Sequence, residues 1–107
     1  MDGGWRISVG KTVATGHHYR IRRIEMGPGA ELDLRVHHHR TGQFVVLSGE
    51  AVITRGEDVI HAGPQSSIFV PFGVPHRLEN AGRGMLSLLE VQVGSRFEEE
   101  DSDLEAA

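Results

Sequence analysis

The sequence predicts one all-β domain, and three observations support this prediction. Its 107 residues suffice for one compact domain and not for two. Fourteen glycines and four prolines divide the chain into short segments, which is typical of strands joined by tight turns. No segment shows the apolar spacing expected of a long amphipathic helix. We therefore expect a β-sandwich or barrel with little helix over residues 1–97, and a disordered acidic tail over residues 98–107.

The expected strands follow one another with short turns between them. The chain is expected to open with a strand or arm over Trp5–Val9 and a loop over Gly10–Gly16. Trp5 is interpreted either as a cap on an open end of the barrel or as part of the site. Alternating apolar residues and turns rich in Gly and Pro mark the remaining strands. These are Tyr19–Met26, Glu31–His39, Phe44–Leu47, Ala51–Arg55, Val59–Ala62, Ser67–Val70, His76–Glu79 and Met85–Val93.

The strand expected over Glu31–His39 has one strongly polar face. Successive side chains on a strand point to opposite faces, so alternate residues share a face. Burying a polar face costs free energy unless its groups find partners, and a wet cavity holding a metal and an anionic ligand would supply them. The apolar face comprises Leu32, Leu34 and Val36, and the polar face comprises Asp33, Arg35, His37 and His39.

Three histidines are candidate metal ligands. His37 and His39 are expected on one face, and His76 follows a turn that contains Pro71 and Gly73. If the two stretches form neighbouring strands, three imidazoles converge. Imidazole suits Zn, Fe, Cu or Ni, and three such ligands leave coordination positions open for water or substrate. The alternative is a solvated run of histidines on an exposed strand.

These stretches resemble the two sequence motifs of the cupin superfamily. Longer segments, including PGAELDLRVHHHR, VVLSGEAVIT, IFVPFGVPHRLEN and LLEVQVGS, resemble the type II mannose-6-phosphate isomerase cupin domain. That domain occurs alone or at the C-terminal end of mannose-1-phosphate guanylyltransferase chains. The resemblance runs from about Trp5 to about Phe97. The motif residues present here are Gly29, His37, His39 and Gly49 in the first motif, and Gly63, Pro71, Gly73, His76 and Asn80 in the second.

The resemblance implies a jelly-roll fold and a metal-dependent sugar-phosphate isomerase. The reaction would interconvert mannose 6-phosphate and fructose 6-phosphate. The implied metal ligands are His37, His39 and His76, and the implied cofactor is a divalent ion such as Zn, Mn, Fe, Co or Ni. The partner would be a small sugar phosphate.

One ligand of the family's first motif is missing. The family carries a Glu seven residues before the closing glycine, and that position is Gly42 here. Gln43 follows and alternates to the opposite face. A β-bulge at Thr41-Gly42 would turn Gln43 inward as a weaker, uncharged ligand, since glycine in a strand often marks a bulge.

Phosphate binding and proton transfer need further residues. Ten of the 11 cationic residues are Arg, whose planar fork of donors suits phosphate. Arg35 is the best candidate because it shares the face of His37. Glu90 and His61 are candidate bases for moving a proton between C1 and C2. The other candidate phosphate contacts are Arg23, Arg40 and Arg77, with Arg20 and Arg22 as further possibilities.

Two other classes of function compete with the isomerase. One is a non-catalytic sugar-binding or sugar-phosphate-binding cupin, which would keep the pocket and lack the base. The other is a small metal-dependent oxygenase-like cupin, since three histidines also suit iron and O2. The arginine-rich face argues against an apolar oxygenase substrate.

Composition excludes several partners and predicts a compartment. The formal net charge of −4 and the scattered cations argue against nucleic-acid binding. No apolar run approaches the ~20 residues of a membrane span, and no signal peptide opens the sequence. The absence of cysteine fits a cytoplasmic protein. Exposed edge strands are commonly covered by a partner, so a homodimer is expected.

Overall fold

Two five-stranded antiparallel sheets form the fold in the computed structural model, which describes residues 8–95, 97 and 102–104. The strands are β1 (Ser8–Gly16), β2 (Tyr19–Met26), β3 (Glu31–His37), β4 (Arg40–Ser48), β5 (Ala51–Arg55), β6 (Asp58–Ala62), β7 (Ser67–Val70), β8 (His76–Asn80), β9 (Leu86–Gly94) and β10 (Ser102–Leu104). The first sheet has the order β1-β2-β9-β4-β7, and the second has the order β10-β3-β8-β5-β6.

The described residues contain strands and turns without a helix, which confirms the all-β prediction. No helix long and apolar enough to cross a membrane occurs in this part of the chain.

The core fills the space between the sheets at one end of their inner faces. Cross-strand pairs on the first sheet supply much of it, with Ile24 opposite Leu88 and Met26 opposite Leu86. Ile53 of the second sheet is also fully buried. Each such side chain contributes about 1.5–3 kcal/mol through removal from water. The remaining core residues are Ala30, Phe44, Val46, Ala51, Ala62, Val70 and Leu78.

Farther along the same strands, the inner face of the first sheet becomes polar. Two residues before Ile24 and two residues after Leu88, the facing pair is Arg22 and Glu90. The next pair is Arg20 and Gln92. Gln92 in turn lies opposite Gly42 of β4. The strands that build the core therefore also build one wall of a polar site.

Two expected elements differ from the observed ones at the N-terminal side. Gly10–Gly16 was expected to be a loop, but it belongs to β1, because pairing with β2 along its length outweighs its weak strand propensity. A register shift between Thr12 and Ala14 accommodates the irregular sequence. Trp5 and most of the expected arm lie outside the described residues, while Ser8 and Val9 begin β1.

The strand expected over Glu31–His39 ends at His37. His38 and His39 form the bend into β4, so His39 does not continue the alternation of β3. A register shift between Leu32 and Arg35 also interrupts that alternation. For this reason Leu32 lies on the wall of the same cavity as Arg35, and the expected separation into one apolar and one polar face is wrong.

The acidic tail is described over three residues only. Ser102–Leu104 form β10, whose backbone pairs with β3 in a register that sets Ser102 opposite His37 and Leu104 opposite Arg35. The rest of residues 98–107 lies outside the described part of the chain.

Asn80 ends β8, the central strand of the second sheet, and ties the end of β2 to the loop after β8, so its removal should destabilise the fold. Its Nδ2 donates to the carbonyl oxygens of Met26 at 2.8 Å and Gly84 at 2.9 Å, and its Oδ1 accepts from the Gly82 N–H at 2.9 Å. Asn80 is 1% exposed, so water does not readily replace these bonds. Asn80→Ala should lower the free energy of unfolding by about 2–4 kcal/mol.

Urea unfolding followed by fluorescence or circular dichroism measures this loss. Gln43→Ala is the matched control, because it truncates an exposed amide. A change in Asn80→Ala no larger than that of the control would contradict a structural role for Asn80.

Candidate anion-binding cavity

A polar cavity of about 110 Å³ opens between the sheets beyond the core. A space of this size holds several water molecules or one end of a small polar ligand. Both sheets contribute to its wall, and cationic side chains outnumber the single carboxylate. The lining residues are Arg22, Leu32, Arg35, His37, Arg40, Phe44, His76, Arg77, Leu78 and Glu90.

Two imidazoles meet in this cavity because a turn is attached to the end of β3. The N–H of Gly73 donates to the carbonyl oxygen of His37 at 2.9 Å, which holds the turn before β8 beside β3. Gly73 has φ of 71°, a conformation that glycine adopts without strain. The rings of His37 and His76 consequently lie 4.9 Å apart between centroids, tilted by 52°. The expected approach of these two histidines is observed.

A backbone contact fixes the tautomer of His76. Its Nδ1 lies 3.1 Å from the carbonyl oxygen of Val74. A carbonyl oxygen only accepts, so Nδ1 carries the proton and donates it. Nε2 then keeps its lone pair and acts as an acceptor.

Burial and positive charge keep both imidazoles neutral. Burial lowers the pKa of His37 to about 3, and the guanidinium of Arg40 is the next largest cause of that shift. Burial also lowers the pKa of His76, although its bond to Val74 and the nearby charge of Glu90 act in the opposite direction. The guanidinium groups of Arg35 and Arg40 contribute to both shifts, and their positive charge favours a negatively charged ligand.

Glu90 is the only carboxylate among the residues that line this cavity. It is 5% exposed, and its Oε1 lies 3.5 Å from Nη1 of Arg22. Its Oε2 would lie 3.8 Å from a Cβ built on Gly42. The carboxylate absent from position 42 therefore has a counterpart on the neighbouring strand β9, and the sequence candidate Glu90 lies in the cavity.

The predicted phosphate contacts separate into two groups. Arg35, Arg40 and Arg77 line the cavity together with Arg22. Arg23 points to the outer face of its strand, where its Nη2 lies 3.3 Å from the Glu25 carboxylate. From β3, Arg35 and His37 supply the polar groups of the cavity wall, beside the apolar Leu32.

Three other candidates lie away from the cavity. His39 is exposed in the bend after β3, and the candidate base His61 is exposed on β6. Gln43 is exposed and its amide donates to the Ser67 hydroxyl. The bulge expected at Thr41-Gly42 is not there, because the register of β4 with both neighbours is continuous across it.

The donors that converge in the cavity do not fit a metal centre. His37 and His76 supply two imidazoles, Glu90 is engaged by Arg22, and Gly42 supplies nothing. Within the described residues, no group of three or more His, Cys, Asp or Glu side chains is placed to hold a metal ion. The arginines that lower the pKa of His37 would also repel a divalent cation.

One polar residue of the site region was not predicted from the sequence. Gln92 is 1% exposed, and its Oε1 accepts from Nε of Arg20 at 2.8 Å. The spacing along the strand could have identified Gln92, because it lies two residues after Glu90 on β9 and its side chain therefore points to the same face as that of Glu90.

The low pKa of His37 makes stability depend on pH. In the unfolded chain His37 binds a proton near pH 6.5, whereas in the folded chain it does so at about 3. Between these values the unfolded state binds more protons, so stability falls as pH is lowered through this window. His37→Gln should show a weaker loss than the wild type.

Urea midpoints measured at several pH values between about 3 and 6.5 test this expectation. His61→Gln is the control, since it replaces an exposed histidine and should keep the wild-type slope. Equal slopes in all three proteins would contradict a buried neutral His37.

Comparison with known proteins identifies relatives over nearly the whole chain. The family of the mannose-6-phosphate isomerase C-terminal domain matches residues 7–105. The xanthan biosynthesis protein XanB of Xanthomonas campestris is 43% identical over 90 residues, covering 84% of this chain and 19% of that protein. Mannose-1-phosphate guanylyltransferase of Escherichia coli K12 is 40% identical over the same shares of the two chains. The chain thus spans about a fifth of the length of these relatives.

Solved structures of lower sequence identity share the fold. A Klebsiella pneumoniae protein described as having a double-stranded β-helix domain superposes with a TM-score of 0.82 at 21% identity, covering 94% of this chain and 85% of that one. A cupin superfamily protein from Desulfitobacterium hafniense gives 0.75 at 19% identity, with coverages of 89% and 84%. These likenesses confirm the jelly-roll prediction. The chain therefore has the cupin fold and belongs to the family of mannose-6-phosphate isomerase C-terminal domains.

Proposed function

We propose that this domain binds a small sugar phosphate in the cavity between its sheets. The observation that carries the proposal is the charge of the wall, where four guanidinium groups face one carboxylate. Guanidinium forks bind phosphate oxygens through paired, charge-assisted hydrogen bonds. The names of the relatives, which concern mannose phosphates and polysaccharide synthesis, make mannose 6-phosphate the first ligand to test.

The arrangement of the wall favours a ligand with an anionic end. Arg35 on β3 and Arg77 on β8 come from one sheet, while Arg40 on β4 comes from the other. Cations from both sheets can thus hold one phosphate from two sides. An anion in this position also offsets the mutual repulsion of the arginines, so binding should stabilise the fold.

A second candidate function is isomerisation of the bound sugar phosphate. Glu90 favours it, because this buried carboxylate faces the cavity beside Arg22. Glu90 would take the proton from C2 of the open-chain aldose, and the electron pair would move through C1 to the carbonyl oxygen. The O2 proton then transfers to O1, and Glu90 returns its proton to C1 to give the ketose. The neighbouring guanidinium groups would stabilise the enediolate charge.

The metal implied by the family is not used in this scheme. Two neutral imidazoles remain available, but the third donor and the carboxylate at position 42 are missing. We therefore expect isomerisation to be slow or absent, and binding to be the main property of the site.

Arg35→Ala should weaken binding of mannose 6-phosphate by about 10- to 100-fold, since a hydrogen bond to a charged group contributes roughly 1.5–3 kcal/mol. Isothermal titration calorimetry measures the dissociation constants. Arg23→Ala is the matched control, because it removes an arginine from the outer face of β2 in the other sheet. The proposal is wrong if the wild type fails to bind, or if both variants bind as the wild type does.

Glu90→Gln should abolish any isomerisation while leaving binding within a fewfold of the wild type. Loss of a positioned base typically costs 10²–10⁴-fold in rate. Conversion of mannose 6-phosphate to fructose 6-phosphate is measured after chelation and after separate addition of Zn, Mn, Fe(II), Co and Ni. A turnover number within about 1–10³ s⁻¹ that requires one of these metals would contradict the expectation of a metal-independent, binding-dominated site.

A further inference from the structure

We propose that the inner face around Gly42 is a hydroxyl-binding subsite, in which the Gln92 amide donates to the ligand and the Glu90 carboxylate accepts from it. This inference deepens the proposed sugar-phosphate site, because it assigns the sugar end of the ligand to the first sheet. It rests on an unpartnered buried donor, an adjacent open space and an acceptor facing that space.

The donor is the amide nitrogen of Gln92. Gln92 is 1% exposed, and its Nε2 is a buried polar atom without a hydrogen-bond partner. Leaving such a donor unsatisfied costs about 1–3 kcal/mol, so native structures usually provide a partner. The missing partner must accept a hydrogen bond, which points to an oxygen atom of a ligand.

Arg20 fixes which end of the amide is available. Its Nε donates to Gln92 Oε1 at 2.8 Å, and a guanidinium has no acceptor, so the oxygen of the amide must face Arg20. The nitrogen end is therefore directed elsewhere and is held there by this contact. A donor oriented in advance binds a ligand without losing further rotamer freedom.

Gly42 leaves space beside this donor. It lies directly opposite Gln92 in the pairing of β4 with β9 and has no side chain to fill the inner face. A Cβ at position 42 would approach one neighbouring atom within 4 Å, which is Oε2 of Glu90 at 3.8 Å. Glu90 also lines the cavity, so the space over Gly42 and the cavity share this residue as a wall.

The two polar groups around this space match a hydroxyl group. Oε1 of Glu90 lies near Arg22, while Oε2 faces Gly42 and is available as an acceptor. Gln92 Nε2 supplies a donor two residues along the same strand. A hydroxyl both donates and accepts, whereas a phosphate oxygen only accepts and would be repelled by the carboxylate. The phosphate is thereby directed to Arg35 and Arg77 on the opposite sheet.

Two substitutions test the subsite and leave the four arginines that line the cavity in place, although Gln92→Met also removes the acceptor of Arg20 Nε. Gln92→Met keeps the volume and removes the donor. Gly42→Ala places a methyl group in the space, and its 3.8 Å contact is ordinary packing, so the variant should fold. Matched controls are Gln43→Met on the outer face of the adjacent strand and Gly84→Ala, where a Cβ meets nothing within 4 Å.

The probes are mannose 6-phosphate and inorganic phosphate, titrated by calorimetry. Both test variants should weaken mannose 6-phosphate binding about five- to tenfold, the value of one hydrogen bond, and leave phosphate binding unchanged. The controls should bind both probes as the wild type does. Equal binding of mannose 6-phosphate by all variants, or equal losses for both probes, would overturn the subsite while leaving the proposed phosphate site standing.

Free mannose separates this inference from the proposed function. If the wild type binds neither phosphate probe, the proposed function fails, and the subsite is judged by NMR alone. The ¹⁵N-labelled side-chain amide of Gln92 should shift on addition of concentrated mannose in the wild type and not in Gly42→Ala. No shift in the wild type would overturn the subsite.

Discussion

The burial of positive charge between two sheets is the constraint on which the site depends. Arg40 is 3% exposed, and Arg22, Arg35 and Arg77 line the same cavity. Removing cations from water is costly unless they are paired. Within the lining, Glu90 supplies one negative charge, and both imidazoles are kept neutral and add no further positive charge. The wall is therefore predominantly cationic, which is why an anionic ligand is proposed for it.

The fold supports this cavity by dividing each inner face into two zones. Along β2 and β9, the pairs Met26–Leu86 and Ile24–Leu88 give way to Arg22–Glu90 without a break in register. The core therefore holds the strands in place on one side of the polar zone. On the other sheet, the bond from Gly73 to His37 fixes the approach of His76. The polar residues are thus positioned by rigid strands rather than by mobile loops.

Much of the fold could be predicted from the sequence because its strands are short and are separated by turns rich in glycine and proline. The bounds expected for Tyr19–Met26, Ala51–Arg55 and Ser67–Val70 are those observed. The residues of the site were harder to predict, because a shift of one residue in the register of a strand turns its side chains to the opposite face of the sheet. The register shift in β3 and its end at His37 could not be anticipated from alternation. As a result, Arg35 and not His39 accompanies His37.

Position 42 shows how a local change redistributes the chemistry of a site. The resemblance to the family places a carboxylate there, and glycine removes both its charge and its volume. Glu90 reaches toward the space so created, and Gln92 directs an unpartnered donor from the opposite strand. Without this carboxylate the site has less negative charge to hold a cation, and the surrounding arginines attract an anion instead. In the proposed function, glycine at position 42 turns the place of a metal-binding carboxylate into part of a ligand-binding site, because the neighbouring strand already carries the polar groups Glu90 and Gln92.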